Sequence, residues 1–170
     1  PDHRRLREIA GALLDARADA APVVRWQGGA VRRFGDRLLP VSEPALAAQA
    51  AAPAAASWNW RLQSGLPLGP HVELELVVDR HGEVDLASLP CPLRVRFRRG
   101  GERLHAPHGS LPLKDLLQQR GIEPWRRAQV PLLCVRSRIV AVADLWLDAA
   151  YRAGAHTHGA RGRLRWRYRD

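Results

Sequence analysis

Arginines occupy alternate positions in two stretches of the chain. Arg161, Arg163, Arg165, Arg167 and Arg169 alternate with Leu164, Trp166 and Tyr168. Arg94, Arg96 and Arg98 alternate with Leu93, Val95 and Phe97. Successive side chains of a β-strand point to opposite faces, so each stretch collects guanidiniums on one face and apolar groups on the other. A guanidinium is a planar fork of donors that suits phosphate oxygens, and a row of them can track an anionic backbone. A plainer fate competes for the 94–98 row. Glu73, Glu75, Glu83 and Asp85 lie within reach in sequence and can pair with it across strands.

Two shorter motifs add to the basic signal. Arg98-Arg99-Gly100-Gly101-Glu102-Arg103 reads as a basic turn, whose glycines permit backbone shapes closed to other residues and a close approach to a ligand. It is neither GxGxxG nor a P-loop. Pro124-Trp125-Arg126-Arg127 sets an aromatic ring beside two guanidiniums after a helix. Arg126 and Arg127 are candidates to clamp phosphate. Trp125 can stack on a base, although a Trp near apolar helix residues more often packs into the core.

Other chemistry finds little support. His105, His108, His156 and His158 have HxxH and HxH spacings that can ligate zinc. They fall in Gly/Ala/Pro-rich loops without a cysteine or carboxylate nearby in sequence, so solvent-exposed histidines are expected and no metal. Glu73/Glu75 and Asp144/Asp148 are carboxylate pairs better explained as a solvated face or a turn. No Gly-rich loop with a following Lys and no GxSxG is present. No catalytic set and no bound cofactor are therefore expected of this chain.

Composition agrees with an anionic partner. The 170 residues carry a formal net charge of +10 with a pI near 11.3, and Lys114 is the only lysine. A high-GC genome would explain Arg in place of Lys, but not the excess of base over acid. Apolar residues make up 46%, enough to bury a core. Cys91 and Cys134 lack metal spacing and read as thiols of a reducing compartment. No apolar run approaches the ~20 residues of a membrane span and no secretory segment is visible, so a cytoplasmic protein is expected. The chain has no methionine, which suggests a piece of a longer protein.

Hydrophobic periodicity supplies the elements that position these residues. Residues 2–18 read as an amphipathic helix with Asp2 as N-cap and Leu6, Ile9, Ala10, Leu13 and Leu14 on one face. Val23–Trp26 and Val31–Phe34 are β-prone runs joined by Gln27-Gly28-Gly29, and Leu38–Val41 can add a third strand. Residues 45–56 (ALAAQAAAPAAA) read as an Ala/Pro linker. Beyond it, strands are expected at Val72–Val78, with Val84–Leu86 as its short partner, and at Leu93–Phe97 and Arg163–Arg169, with a hairpin of Pro131–Val135 and Ile139–Ala143. A helix should begin near Ser110, with Pro112 in its first turn, and end at Gly121. The class is α+β. Residues 1–44 should form part of a helical domain with a β-hairpin, and residues 1–41 should not fold alone. Residues 57–170 should form a compact domain of antiparallel strands with one or two helices.

Ala12–Val41 (ALLDARADAAPVVRW, then AVRRFGDRLLPV) resembles the end of the central substrate-binding domain of bacterial tRNA(Ile)-lysidine synthases. Phe97–Leu104 (FRRGGERL), Leu111–Leu133 and Ile139–Tyr151 resemble that family's C-terminal domain. The most diagnostic element runs from Gly121-Ile122-Glu123-Pro124-Trp125-Arg126 through Pro131-Leu132-Leu133 to Val140-Ala141-Val142. The poorest stretch is 42–70. The resemblance implies a parent enzyme that uses ATP, with Mg, to adenylate the wobble cytidine of a CAU anticodon and join lysine to its C2. It places that chemistry in an N-terminal PP-loop domain with an SGGxDS motif, absent from this sequence. It further implies that this region binds and positions tRNA(Ile) with its CAU anticodon, that the last domain is associated with the acceptor-stem end, and that the parent enzyme can form a homodimer. The tRNA-binding residues implied are Arg98, Arg99, Arg103, Lys114, Arg120, Arg126 and Arg127, with Arg25, Arg32 and Arg33 in the first part. One departure stands out. The family helix carries several lysines near its start, roughly KLKK, whereas Pro112-Leu113-Lys114-Asp115 keeps only Lys114 and adds an acid. Arg98, Arg99, Arg103 and Arg120 are the candidates to compensate. Two other readings stay open: a protein-interaction or dimerisation module with self-paired arginines, and a tRNA-binding domain of another RNA-modifying enzyme.

Overall fold

The computed structural model describes residues 3–15, 22–43, 46–47, 56–63, 65–70, 72–106 and 109–168. The chain divides into two compact units, Pro1–Ala51 and Ala52–Arg169. Most of the Ala/Pro segment 45–56 lies outside the described residues, as do Asp2, residues 16–18, His108 and Arg169.

The first unit holds helix α1 (His3–Leu14) and an antiparallel meander of β1 (Val23–Trp26), β2 (Gly29–Phe34) and β3 (Arg37–Ser42). The helix ends at Leu14, ahead of the expected residue 18, since Asp15 is already a bend. Trp26 pairs with Gly29, so the turn is the two residues Gln27-Gly28, with Gly28 at φ +98°. Gly29 is required for packing, because a Cβ there would meet the Val41 carbonyl oxygen at 2.8 Å. On the expected apolar face of α1, Leu13 is buried while Leu6 is 49% exposed. Arg33 Nη1 donates to the Leu13 carbonyl at 3.0 Å, satisfying one acceptor that the helix end leaves open.

The second unit stacks two antiparallel sheets and a helix layer. One sheet has β4 (Ser57–Trp60), β8 (Leu93–Phe97), β11 (Pro131–Val135), β12 (Arg138–Val142) and β13 (Trp146–Leu147), in the order β13-β12-β11-β8-β4. The other has β5 (Gly65–Pro67), β6 (Val72–Val78), β7 (Val84–Asp85) and β14 (Arg161–Tyr168), in the order β5-β6-β14-β7. A hairpin of β9 (Arg103–Ala106) and β10 (Gly109–Pro112) leads directly into helix α2 (Leu113–Gln119).

The burial pattern explains the layering. Leu93, Val95 and Phe97 of β8 join Leu133, Leu74, Leu76 and Leu164 in a core between the sheets. The opposite face of β11 and β12 contributes Leu132, Cys134, Ile139 and Val142 to a second core with Leu113, Leu116 and Leu117 of α2. These two strands are covered on both faces, which is why they read as continuous apolar runs rather than alternations. Burying the three α2 leucines contributes about 1.5–3 kcal/mol each.

Two expected details differ. Pro112 does not open the helix. It closes β10, extended at φ −60° and ψ 130°, and α2 starts one residue later. The short strand at Val84 does not pair with Val72–Val78, because β14 lies between them. The helix end is as expected: Gly121 at φ +65° turns the chain, Gly121 N–H donates to Gln118 O and Ile122 N–H to Leu117 O. That is a Schellman stop, with Ile122 packed against the second core.

Candidate nucleic-acid interface

The basic turn is built around a carboxylate. Glu102 accepts hydrogen bonds from the backbone N–H of Arg99, from that of Gly100 at 2.9 Å and from Arg96 Nη1 at 3.0 Å. Arg98 Nε lies 3.8 Å from its second oxygen. Gly100 and Gly101, at φ +101° and +76°, give the backbone the left-handed shape that brings these donors inward. Burial alone would raise the Glu102 pKa. The bonds from Arg99, Arg96 and Gly100 outweigh it and hold the carboxyl below its ordinary value.

Two connections tie the turn to its neighbours. Leu113 N–H, at the start of α2, donates to the Glu102 carbonyl at 2.9 Å. The β8–β11 register pairs Phe97 with Pro131, which sets Arg98 beside the 3₁₀ turn Arg127–Gln129 that precedes β11. Arg127 Nε donates to Ile122 O at 2.8 Å. Burial, and secondarily the charge of Arg98, lowers the Arg127 pKa, so two like charges share this edge. Arg126 Nε is 3.9 Å from Glu123. Arg103 reaches across its hairpin to Ser110 Oγ at 2.6 Å and Ser110 O at 3.0 Å. Lys114 is exposed in the first turn of α2, beside a half-buried Asp115.

The turn, the start of α2 and the 3₁₀ turn therefore adjoin through the Leu113–Glu102 bond and the Arg98–Arg127 proximity, and these elements carry Arg98, Arg99, Arg103, Lys114, Arg126 and Arg127. Arg94, exposed, and Arg96 extend this group along β8, and both were read only as a strand face. Trp125, expected in the core, is half-buried and belongs to neither buried cluster. Arg120 is exposed at the C-terminal end of α2 and lines a cleft of about 300 Å³ with Glu83, Asp144 and Arg152. Burial, with some help from Glu83, raises the Asp144 pKa. In the first unit Arg25 is exposed. Arg32 is buried at 9% exposure, and half-buried Arg33 donates to the Leu13 carbonyl at the end of α1.

The acids expected to neutralise the 94–98 row face a different strand. Arg165 lies opposite Glu75 and Arg167 opposite Glu73 in the β14–β6 register. Arg167 Nη2 meets Glu75 at 2.9 Å, and Arg163 meets Asp79 at 3.3 Å and Glu83 at 3.8 Å. Glu102, which the sequence reading noted only as part of the turn, is the acid that organises Arg96 and Arg98. Its signal was its place directly after two glycines in a run of arginines.

Remaining chemistry is sparse. Among the described residues no group of three His, Cys, Asp or Glu could hold a metal ion. His105, His156 and His158 are exposed. Cys134 is buried and its thiol pKa is raised by that burial, the opposite of an activated nucleophile. No helix among the described residues is long and apolar enough to cross a membrane.

Fold and site together define a strongly basic α+β protein of antiparallel sheets, with guanidiniums concentrated around one turn. Residues 1–39 match the family model described as the TilS substrate binding domain, and residues 93–166 that described as the TilS substrate C-terminal domain. The chain is 40% identical over 163 residues to a tRNA(Ile)-lysidine synthase of Xylella fastidiosa, covering 93% of this chain and 35% of that protein. It is 32% identical over 165 residues to that of Methylococcus capsulatus, covering 91% of this chain and 35% of that protein. A solved structure described as a TILS C-terminal domain aligns at a TM-score of 0.49 and 24% identity, covering 68% of this chain and 99% of the other. The chain belongs to the tRNA(Ile)-lysidine synthase family. It spans about a third of the length of the curated relatives it matches.

Proposed function

We propose that this chain binds and positions tRNA(Ile) bearing a CAU anticodon, as the tRNA-gripping region of an enzyme that joins lysine to C2 of the wobble cytidine. The observation that carries the reading is the meeting of the basic turn, the start of α2 and the 3₁₀ turn, the elements that carry Arg98, Arg99, Arg103, Lys114, Arg126 and Arg127. Residues 57–170 hold 19 Lys and Arg against 11 Asp and Glu, so that unit carries most of the positive charge. ATP and Mg act in the longer enzyme, in the cytoplasm, and the longer enzyme can pair as a homodimer. This chain, with no phosphate-cradling glycine loop in its sequence, makes no lysidine alone.

Phosphate contacts position a protein without reading sequence, and the deep major groove of an RNA duplex hides its base edges. Selection of the anticodon therefore rests mainly outside this region. The test is a filter-binding titration against tRNA(Ile) with a CAU anticodon and against elongator tRNA(Met), across a range of salt. Neutralising four to six phosphates gives a slope of log affinity against log salt of roughly −3 to −5, with little preference between the tRNAs. A flat salt dependence by a folded chain would favour the interaction-module reading.

A further inference from the structure

An acid at the centre of a phosphate-facing patch is unfavourable on charge grounds, so its burial there calls for a structural reason. The Glu102 side chain is only 6% exposed. Its carboxylate accepts from two successive backbone N–H groups, those of Arg99 and Gly100, and from the Arg96 guanidinium. Its carbonyl accepts the Leu113 N–H that opens α2. One residue thus contacts β8, the turn and the helix start, the elements that carry Arg96, Arg98, Arg99 and Lys114. Successive inward N–H groups form a concavity suited to an anion, and the protein fills it with its own carboxylate.

We infer that Glu102 is a positioning residue for RNA binding: by filling the concavity of the turn it fixes the Arg98–Gly101 backbone, so the surrounding cations meet phosphates already ordered. The role rests on the tRNA-binding reading above. Preorganisation removes the cost of immobilising long side chains and a mobile loop at the moment of binding. The carboxyl is held below its ordinary pKa and so stays ionised at neutral pH. Charge bookkeeping and positioning predict opposite signs. If Glu102 were only a nearby negative charge, its removal would tighten RNA binding by about twofold, the scale of a surface charge pair. If it positions the turn, its removal weakens binding although the net charge becomes more positive.

The experiment is the same salt-dependent titration of the whole 170-residue chain with tRNA, comparing Glu102→Gln, Glu102→Asp and Gly100→Ala. Glu102→Gln should bind about tenfold more weakly, the loss of about one charged hydrogen-bond network. Its salt slope should be shallower by about one, because fewer cations remain in register. Glu102→Asp, which keeps the charge, should recover part of both. A general loss of folded protein would lower the active fraction and leave the slope alone, so the slope separates positioning from mere stability. Equal or tighter binding by folded Glu102→Gln, or an unchanged slope, overturns the inference. If Glu102→Gln fails to fold by circular dichroism, Gly100→Ala decides the matter. It leaves the charge intact and strains a backbone at φ +101° in open space. Wild-type affinity and slope for folded Gly100→Ala overturn the inference; weaker binding with a shallower slope supports it. Absence of tRNA binding by the unaltered chain sinks the functional reading and this role together. Binding by the unaltered chain with unaffected variants sinks only the role of Glu102.

Discussion

The two arginine rows of the second unit look alike in sequence and end differently in the fold. The β14 row lies on the outer face of the four-stranded sheet, where the neighbouring strand presents Glu73 and Glu75 and the following loop presents Asp79 and Glu83. Arg163 and Arg167 meet acids of the same chain, and Arg165 lies opposite Glu75 in the register. The β8 row lies on the face of the five-stranded sheet that also carries α2, and it opens into a turn, a helix start and a 3₁₀ turn that add further cations. Glu102 is shared by Arg96 and Arg98, and Glu123 lies 3.9 Å from Arg126. Guanidinium count therefore does not decide which face can take up an external anion. Strand order decides it, through what each row finds next door.

The largest expected effect lies in the core beneath the β8 face. Leu117 is fully buried in the core that seats α2, while Leu164 sits in the other core, under β14. Leu117→Ala should destabilise the fold by about 2–5 kcal/mol, the usual cost of a buried leucine truncated next to a cavity. Urea unfolding reads it as a lower midpoint at unchanged slope. A loss under about 1 kcal/mol would mean that α2 is only loosely seated and that the turn cluster has no firm base.

The next largest effect is on binding. Replacing Arg126 and Arg127 together by Ala should shallow the salt slope by about one to two units and weaken all tRNAs alike. Folding is checked first, because Arg127 also holds the Ile122 carbonyl. A change confined to one tRNA species would instead indicate base reading at this edge.

Much of this contrast was legible in the sequence, and the part that was not has a definite cause. The strands at 72–78 and 93–97 announce themselves by alternation because each has one buried face. The buried strands β11 and β12 show as apolar runs. The Gly121 stop shows because only a residue tolerant of positive φ ends a helix in that way. What escaped is non-local or short. Ser57–Trp60, Gly65–Pro67 and the 103–112 hairpin are three or four residues per strand, too short for a period to register. The insertion of β14 between β6 and β7 joins segments some 80 residues apart, and no local pattern encodes it. The same insertion moved Glu73 and Glu75 from the 94–98 row, where proximity in sequence had placed them, to Arg165 and Arg167. Pro112 misled for a simpler reason: proline suits the first turn of a helix, but it also suits the last residue of an edge strand.

The two faces should also differ in their response to acid. Glu102 and Asp79 both have pKa values below their ordinary ones. For Asp79 the first cause is the hydrogen bond from the His81 N–H, opposed by partial desolvation and aided by Arg163. A carboxyl whose folded pKa is depressed contributes stability that is present above its unfolded pKa and lost as pH falls through the folded one. Both should therefore cost stability in acid, below about pH 4.5 for Glu102 and below about pH 3.8 for Asp79. Glu102 is the more enclosed and the more richly bonded, so Glu102→Gln should flatten the acid limb of a melting-temperature profile more than Asp79→Asn does. The reverse order would place the critical acid on the β14 side.

The smallest expected effect belongs to the β14 row itself. Arg163 is 43% exposed and Arg167 51%, and their acidic partners lie at the same surface. Pairs of this kind are screened by salt and hold two long side chains at an entropic cost, so each is worth about 0.2–1 kcal/mol. Arg163→Ala and Arg167→Ala should therefore lower stability by no more than that range. Because Glu75, Asp79 and Glu83 already face these guanidiniums, removing the arginines exposes the acids rather than stripping a phosphate contact. Affinity for tRNA should fall by less than about threefold through the added local negative charge, with the salt slope unchanged, since no counterion-releasing contact is lost. Matched titrations of this double variant and of the Arg126/Arg127 variant compare the two rows directly. A slope loss of one or more in the β14 variant would place phosphates on that face despite its acids, and would erase the distinction between the two surfaces.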